Sequence, residues 1–177
     1  TWEEISYISS NGLAGEYRFQ AGDAKQVTLN GTVGSLTLNN YQTYAFIIGI
    51  NHNAKLEGNN LIHFQVGKTA LTDGVDIVFV DDEYNNSGTS VAFRMNLTNS
   101  NSGGWEDSYM RNNICGTSLT SYSGTFINVI PAALQAILRP VTKYTDNVGG
   151  GSGNVEANIT ATTDYFFTLT EIEVFGS

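Results

Sequence analysis

The sequence has few of the residues that usually announce a function. Its single cysteine, Cys115, excludes an internal disulfide, so oxidation cannot be what holds the fold. Two histidines, His52 and His63, lack a third ligand at a recognised spacing and make a weak zinc case. "NHN" reads as a turn and "IHF" as a strand, so the two can meet across a hairpin, with His63 half-buried and hydrogen-bonded between Ile62 and Phe64. Basic residues number eight against 17 acidic ones, for a net charge of −9. They stand singly (Arg18, Lys25, Lys55, Lys68, Arg94, Arg111, Arg139, Lys143), so no basic stripe exists to displace counterions from phosphates. Nucleic acid is therefore not an expected partner. An anionic membrane surface would repel the chain, no apolar run is long enough to cross a bilayer, and no signal peptide is evident. The sequence starts at Thr1 rather than Met, which leads us to expect a fragment of a longer chain.

Catalytic signatures are equally scarce. There is no GxSxG elbow. The glycines of "GGGSG" at 149–153 precede Asn154 and Val155 where a phosphate loop needs Lys and Ser or Thr, so the stretch reads as a flexible linker. Cys115 follows an expected helix instead of heading one, which leaves nothing to lower its thiol pKa. Spacing singles out no pair among the 17 carboxylates for glycoside cleavage. A non-enzyme with no catalytic residues is the expectation.

What is present is a globular composition: 41% hydrophobic and 11% aromatic residues, with only 14% charged. At 177 residues one domain, 1–177, is expected. Thr1 and Glu4 have capping-box spacing ahead of a helix near 2–13, with Trp2, Ile5, Ile8 and Leu13 on one face and Asn11-Gly12 or Gly15 as its stop. "KQVTLNG" and "SLTLNN" alternate as short strands joined through Asn30-Gly31 and Gly34, after a turn at "QAGDAK". "TYAFIIGINHN" is nearly all apolar and predicts a central strand buried on both faces, while "NLIHFQVGKTAL" fits either a strand or a short helix. "GVDIVFV", "SVAFRMNL", "VTKYTDN" and the start of "TTDYFFTLTEIEVFGS" read as strands, and Thr170 with Glu173 offers a second capping box. Helices are expected near 105–114, after Gly103-Gly104, and near 131–139, with Pro131 in the first turn and Pro140 as the stop. The order predicts an α+β domain with a mixed, largely antiparallel sheet and three helices.

Three sets of residues are candidates for a site. Trp105, Tyr109 and Arg111 bring aromatic faces for planar groups or sugars and a guanidinium for carboxylates. The competing and favoured reading makes Trp105 a core plug and pairs Arg111 with a nearby acid. Tyr84, Asn85 and Asn86 in "DDEYNNSGTS", together with "NLTNSNSGG", have the adaptable polar groups of binding loops. Asp81, Asp82 and Glu83 offer oxygen ligands for calcium. The EF-hand pattern fails there, because Asn86 stands where the turning glycine belongs, and a solvated acidic loop is the simpler reading.

The segments "TWEEISYISSNGLAGEY", "YAFIIGINHN", "GGWEDSYMR", "IPAALQAILRPVTKYTDN" and "TTDYFFTLTEIEVFG" together resemble a domain of unknown function found in bacterial surface proteins and in phage tail or virion proteins. The likeness covers essentially all 177 residues, and its most specific parts are W-x-x-S-x-M-R and the later T-x-D-Y-x-F-x-L-x-E-x-E-V. Members of that family usually continue into a W-W-x-R-S-P segment and a closing strand that is similar to C-type-lectin-like and formylglycine-generating-enzyme-like folds. This sequence lacks that ending, so the resemblance implies a C-type-lectin-like fold or a truncated version of it. It also implies an extracellular, cell-surface or virion binding module for a glycan or protein, or else a structural subunit that assembles through strand edges. It supplies no catalytic residues.

Overall fold

Thr1 and Glu4 cap each other at the head of helix α1, Trp2–Ser10, in the computed structural model, which describes residues 1–34, 36–67, 94–151, 153 and 155–169. The Thr1 hydroxyl accepts from the Glu4 amide at 3.1 Å, and the Glu4 carboxylate receives the Thr1 backbone nitrogen. The helix is three residues shorter than the apolar spacing predicted. Leu13 donates back to the Ile8 carbonyl and Gly12 to that of Ser9 (both 2.9 Å), the paired closure in which a left-handed glycine, here at φ +71°, ends a helix. The Asn11-Gly12 stop prevails over Leu13's fit to the face. Trp2 and Ile8 are buried, and the Trp2 ring meets Phe64 edge-on at 5.8 Å.

Strands β1, Ala24–Val33, and β2, Leu36–Ile50, form one long antiparallel hairpin. Asn30-Gly31, read from the sequence as a turn, lies inside β1 at a register shift. There the Asn30 side-chain oxygen accepts the Asn40 amide at 2.7 Å, so a side chain replaces a ladder bond and the pairing resumes beyond it. Strand β3, Ile62–Gly67, pairs antiparallel with the other edge of β2 and makes β2 the middle of a three-stranded sheet. The ambiguous "NLIHFQVGKTAL" is thus a strand at its centre. β2 is central as expected, but only one face is closed: Thr43, Ala45 and Ile47 are buried, and Tyr44, Phe46 and Ile48 are half-buried.

Between β2 and β3 lies the short helix α2, Ala54–Glu57. The expected helix at 105–114 is instead a run of turns followed by a π-helical turn, Met110–Cys115, closed by the Gly116 amide on the Arg111 carbonyl at 3.0 Å. The expected helix at 131–139 is cut to a single turn. Helix α3, Phe126–Val129, was not foreseen, and α4, Ala132–Gln135, is shorter than predicted. Pro131 is extended (ψ 143°) and sits ahead of α4 as its cap, not within its first turn. Gln135 reaches back to the carbonyls of Ile127 and Ile130 at 2.9 and 3.0 Å, satisfying acceptors that the end of α3 leaves open.

Strands β4, Val141–Asp146, and β5, Ile159–Asp164, form a second antiparallel sheet of two strands. The fold is α+β with antiparallel sheets and short helices; every strand pairing among the described residues is antiparallel, where a mixed sheet had been allowed. The core packs Val27, Leu29, Val33, Leu38 and Ala45 of the larger sheet against Trp2, Ile114, Phe126, Val129, Ile130 and Leu134. Fully covering an aliphatic side chain such as Leu29, at 0% exposure, contributes about 1.5–3 kcal/mol. No helix among the described residues is long and apolar enough to cross a membrane. "GVDIVFV", the first half of "SVAFRMNL" (90–93) and the Thr170–Glu173 pair lie outside the described residues, and the second half of "SVAFRMNL", 94–97, is irregular where a strand was expected.

Candidate functional site

Asp164, at the end of β5, is completely buried and gathers two of the three residues first suspected of ligand binding. Its carboxylate accepts the Trp105 indole N–H at 2.9 Å and the Thr162 hydroxyl at 2.6 Å on one oxygen, and Arg111 Nε at 2.7 Å on the other. The Arg111 fork also reaches the carbonyls of Glu106 (3.1 Å) and Thr163 (3.4 Å). Ser108, 1% exposed, donates its hydroxyl to the Trp105 carbonyl at 2.8 Å and accepts the Arg111 amide at 3.1 Å. Asn112 adds bonds to the carbonyls of Glu106 and Ser108. Indole and guanidinium are therefore engaged inside the protein, where they fasten the 105–112 turn to β5. Tyr109 is not brought to this carboxylate; it packs half-buried against the core, and its amide donates to Asn96 Oδ1 at 3.1 Å.

Beside this network the Cys115 thiol is pushed up to about 12, first by burial and then by the Asp164 carboxylate, with Arg111 opposing. It is protonated at neutral pH, in agreement with the reading that nothing activates it.

The same turn is zipped to the loop after β4. The Gly103 amide donates to the Val148 carbonyl at 2.7 Å, the Gly150 amide to Asn101 Oδ1 at 2.8 Å, and the Glu106 amide to Asn147 Oδ1 at 2.9 Å. Asp146 accepts the amides of Val148 and Gly149 at 2.9 and 3.0 Å. The backbones lie so close that a Cβ on Gly104 would stand 1.9 Å from the Asp146 carbonyl oxygen, and one on Gly149 would stand 1.7 Å from that of Asn101. This corrects the reading of 149–153 as a flexible linker: Gly149 and Gly150 are tied down, and glycine at 149 permits contact more than slack.

The zipper holds up an open groove of about 370 Å³ lined by Met95, Asn96, Thr98, Asn99, Ser100 and Asn101. Asn96 is braced from both ends, its amide donating to the Ser100 carbonyl at 2.7 Å while its oxygen receives Tyr109. The side chains of Thr98 and Asn99 are exposed and have no hydrogen-bond partner among the described residues.

A third neighbourhood was not anticipated as a unit. Glu57 on α2, His63 on β3 and Lys143 on β4 meet in the interior, with side chains 1%, 8% and 7% exposed. Glu57 Oε2 lies 2.7 Å from His63 Nε2, and Oε1 lies 3.5 Å from Lys143 Nζ and 3.3 Å from Asn53 Nδ2. The imidazole contact has the separation of an ion pair, but the N–H direction misses the oxygen, so its content is electrostatic rather than a well-aligned hydrogen bond. The Lys143 ammonium sits 4.0 Å from the centre of the Phe167 ring. His52, exposed on the turn after β2, stacks its ring 5.0 Å from that of His63, so the two histidines do meet as "NHN" and "IHF" suggested. Burial lowers the pKa of His63, the Glu57 carboxylate opposes that, and His52 and Lys143 add to the lowering. Among the described residues no three His, Cys, Asp or Glu side chains are arranged to hold a metal ion.

Tyr84, Asn85, Asn86 and the candidate calcium ligands Asp81, Asp82 and Glu83 lie outside the described residues. In comparisons with known proteins, no family model, no curated protein and no solved structure matches the chain.

Proposed function

We propose that the protein is a non-catalytic binding module that works outside a cell, on a cell surface or on a virion, and takes a glycan or protein ligand at the groove of Asn96–Asn101. The observation that carries this reading is an open groove braced at Asn96 and Asn101, lined by Met95 and otherwise by neutral amides and hydroxyls, with Thr98 and Asn99 left uncommitted among the described residues. An asparagine amide both donates and accepts, as a sugar hydroxyl or a peptide group does, and desolvating it costs far less than desolvating a charge. Pinning the loop beforehand reduces the ordering that binding must impose. The resemblance of the sequence to the domain of surface and virion proteins supports the setting, and with it a C-type-lectin-like reading of the α+β fold. The buried Glu57, His63 and Lys143 serve structure in this reading. The test is a glycan array and a host-cell binding assay with the intact protein and a Thr98→Val/Asn99→Ala variant. Binding that falls in the variant supports the groove, and blanks for the intact protein in both assays refute it.

A structural subunit is the second reading. The outward face of β4–β5 presents Tyr144 (54% exposed) and Ile159 (49%) beside Ala161, an apolar strip that a neighbouring subunit would cover. Sedimentation at high concentration separates the two, since a monomer throughout is incompatible with assembly by this face.

A further inference from the structure

We propose that Asn53, Glu57 and Lys143 form a self-modifying site, at which the lysine amine displaces ammonia from the asparagine side chain and leaves an amide cross-link between the head of α2 and β4. Asn53 Nδ2 lies 3.3 Å from Glu57 Oε1, and Lys143 Nζ lies 3.5 Å from the same oxygen. One carboxylate oxygen thus meets both nitrogens that a transamidation exchanges, the one that attacks and the one that departs. That is the position a shared acid and base must hold to pass protons between them.

The surroundings favour the same chemistry. Asn53 stands at the N-cap of α2, where a side-chain oxygen ordinarily accepts a backbone amide, yet it makes no capping bond. Its carboxamide turns to Glu57 instead. His63 Nε2, 2.7 Å from Oε2, takes the other end of the carboxylate and leaves Oε1 to the two nitrogens. The Phe167 ring, centred 4.0 Å from Nζ, covers the amine. The Glu57 and Lys143 side chains are all but sealed from water, which would otherwise compete for the amide carbon, while half-buried Asn53 gives ammonia a way out.

The reaction balances within the chain. The Lys143 ammonium first passes a proton to the Glu57 carboxylate, which removes two charges from the interior. The Nζ lone pair then bonds to Asn53 Cγ, and the carbonyl π electrons move onto Oδ1. Glu57 gives its proton to Nδ2 and takes one from Nζ, the Cγ–Nδ2 bond breaks, the carbonyl reforms, and ammonia leaves with the remaining proton as ammonium. No oxidant or cofactor enters. The product joins the β2–β3 connection of the larger sheet to the smaller sheet covalently, in a chain whose lone cysteine rules out an internal disulfide. No residue of the Asn96–Asn101 groove takes part, so the groove and the cross-link can fail separately.

The experiment is the intact mass of the denatured protein after overnight incubation of the folded chain, followed by proteolysis and peptide mapping, for the native protein and for Asn53→Ala, Glu57→Gln and Lys143→Arg. Expected is a native mass lower than the sequence requires by one ammonia, about 17 Da, a branched peptide joining residues 53 and 143, and the full mass in all three variants. Should Glu57→Gln or Lys143→Arg not fold, the native protein and Asn53→Ala, altered at a half-buried position, decide. A native protein of full mass overturns the proposal. So does an ammonia loss that persists in Asn53→Ala or maps to Asn11-Gly12 or Asn30-Gly31, where closure onto the following backbone amide expels the same molecule. Loss of water with Lys143 joined to Glu57 overturns it equally, because the carboxylate would then be the group attacked.

Discussion

Replacing Asp164 with Asn tests the network at the end of β5 with almost no change of shape. The native carboxylate accepts from Trp105, Thr162 and Arg111, all within 2.9 Å, at a site with no solvent exposure. An asparagine has one acceptor oxygen and a donor nitrogen. If its oxygen faces Arg111, the nitrogen confronts the indole N–H and the Thr162 hydroxyl; if it is flipped, the nitrogen confronts Arg111 Nε. Either orientation places donor against donor. It also leaves Arg111, 14% exposed, with its charge balanced only by carbonyl dipoles. Breaking a buried pair by removing one partner costs about 3–5 kcal/mol. Because Arg111 keeps some contact with water, the lower part of that range is expected. Against a total stability of about 5–15 kcal/mol this is a large fraction. Urea unfolding followed by tryptophan fluorescence measures it, with Trp105 inside the affected turn, and the midpoint should drop without a change in slope. Arg111→Met made alone and together with Asp164→Asn should show strong coupling, the double variant being less damaged than the sum of the singles. A loss below about 1 kcal/mol for Asp164→Asn would show that the three donors find other partners at little cost, and the network would not be what fixes the 105–112 turn.

Two further predictions follow from the same region. Gly104→Ala should destabilise by more than the ~1–3 kcal/mol of backbone strain alone, since its Cβ would collide with the Asp146 carbonyl at 1.9 Å, whereas Gly151→Ala, with open space around it, should cost only the strain of its positive φ; thermal melts of both variants give the comparison. The Cys115 thiol should resist a maleimide or disulfide reagent at pH 8 in the folded protein and react fully in urea, because its pKa of about 12 and its burial both withhold the thiolate. Rapid labelling of the native protein would contradict that placement.

Local chemistry was the legible part of this chain. The Thr1/Glu4 box and the Asn11-Gly12 stop rest on contacts within a few residues, the central strand and the strand at "VTKYTD" on a local run of strand-forming residues, and the structure has all four. The misreadings arise where a distant partner overrides a local pattern. Asn30-Gly31 has turn chemistry, but the Asn40 amide claims its side chain and the strand runs on. Trp105 to Ile114 has helical spacing, yet Asp164 draws Trp105 and Arg111 to one carboxylate, and the segment follows turns and a π-helical turn instead. The glycines at 149–151 suggest slack, a reading that fails for Gly149 because the Asn101 carbonyl, 48 positions earlier in the chain, sits where its Cβ would be.

The Glu57–His63–Lys143 cluster shows how a buried charge network escapes a linear reading. Glu57 and Lys143 are separated by 86 positions, and no spacing rule connects an acid on a one-turn helix to a lysine on a strand. One signal was available. In "VTKYTD" the alternation places Lys143 on the same side as Val141, the side that faces inward, while Tyr144 faces out. A lysine on the inward face of a strand has to meet an anion or be stripped of its charge, so its position alone asked for a buried acid somewhere in the chain. The acid that answers is one of 17. Alternation can therefore flag the lysine, but choosing its partner requires the packing of α2 against β4, which no local pattern in either segment specifies. A buried pair is costly to assemble and costlier to break, so removing either the Glu57 or the Lys143 side chain should cost more than the pair itself contributes.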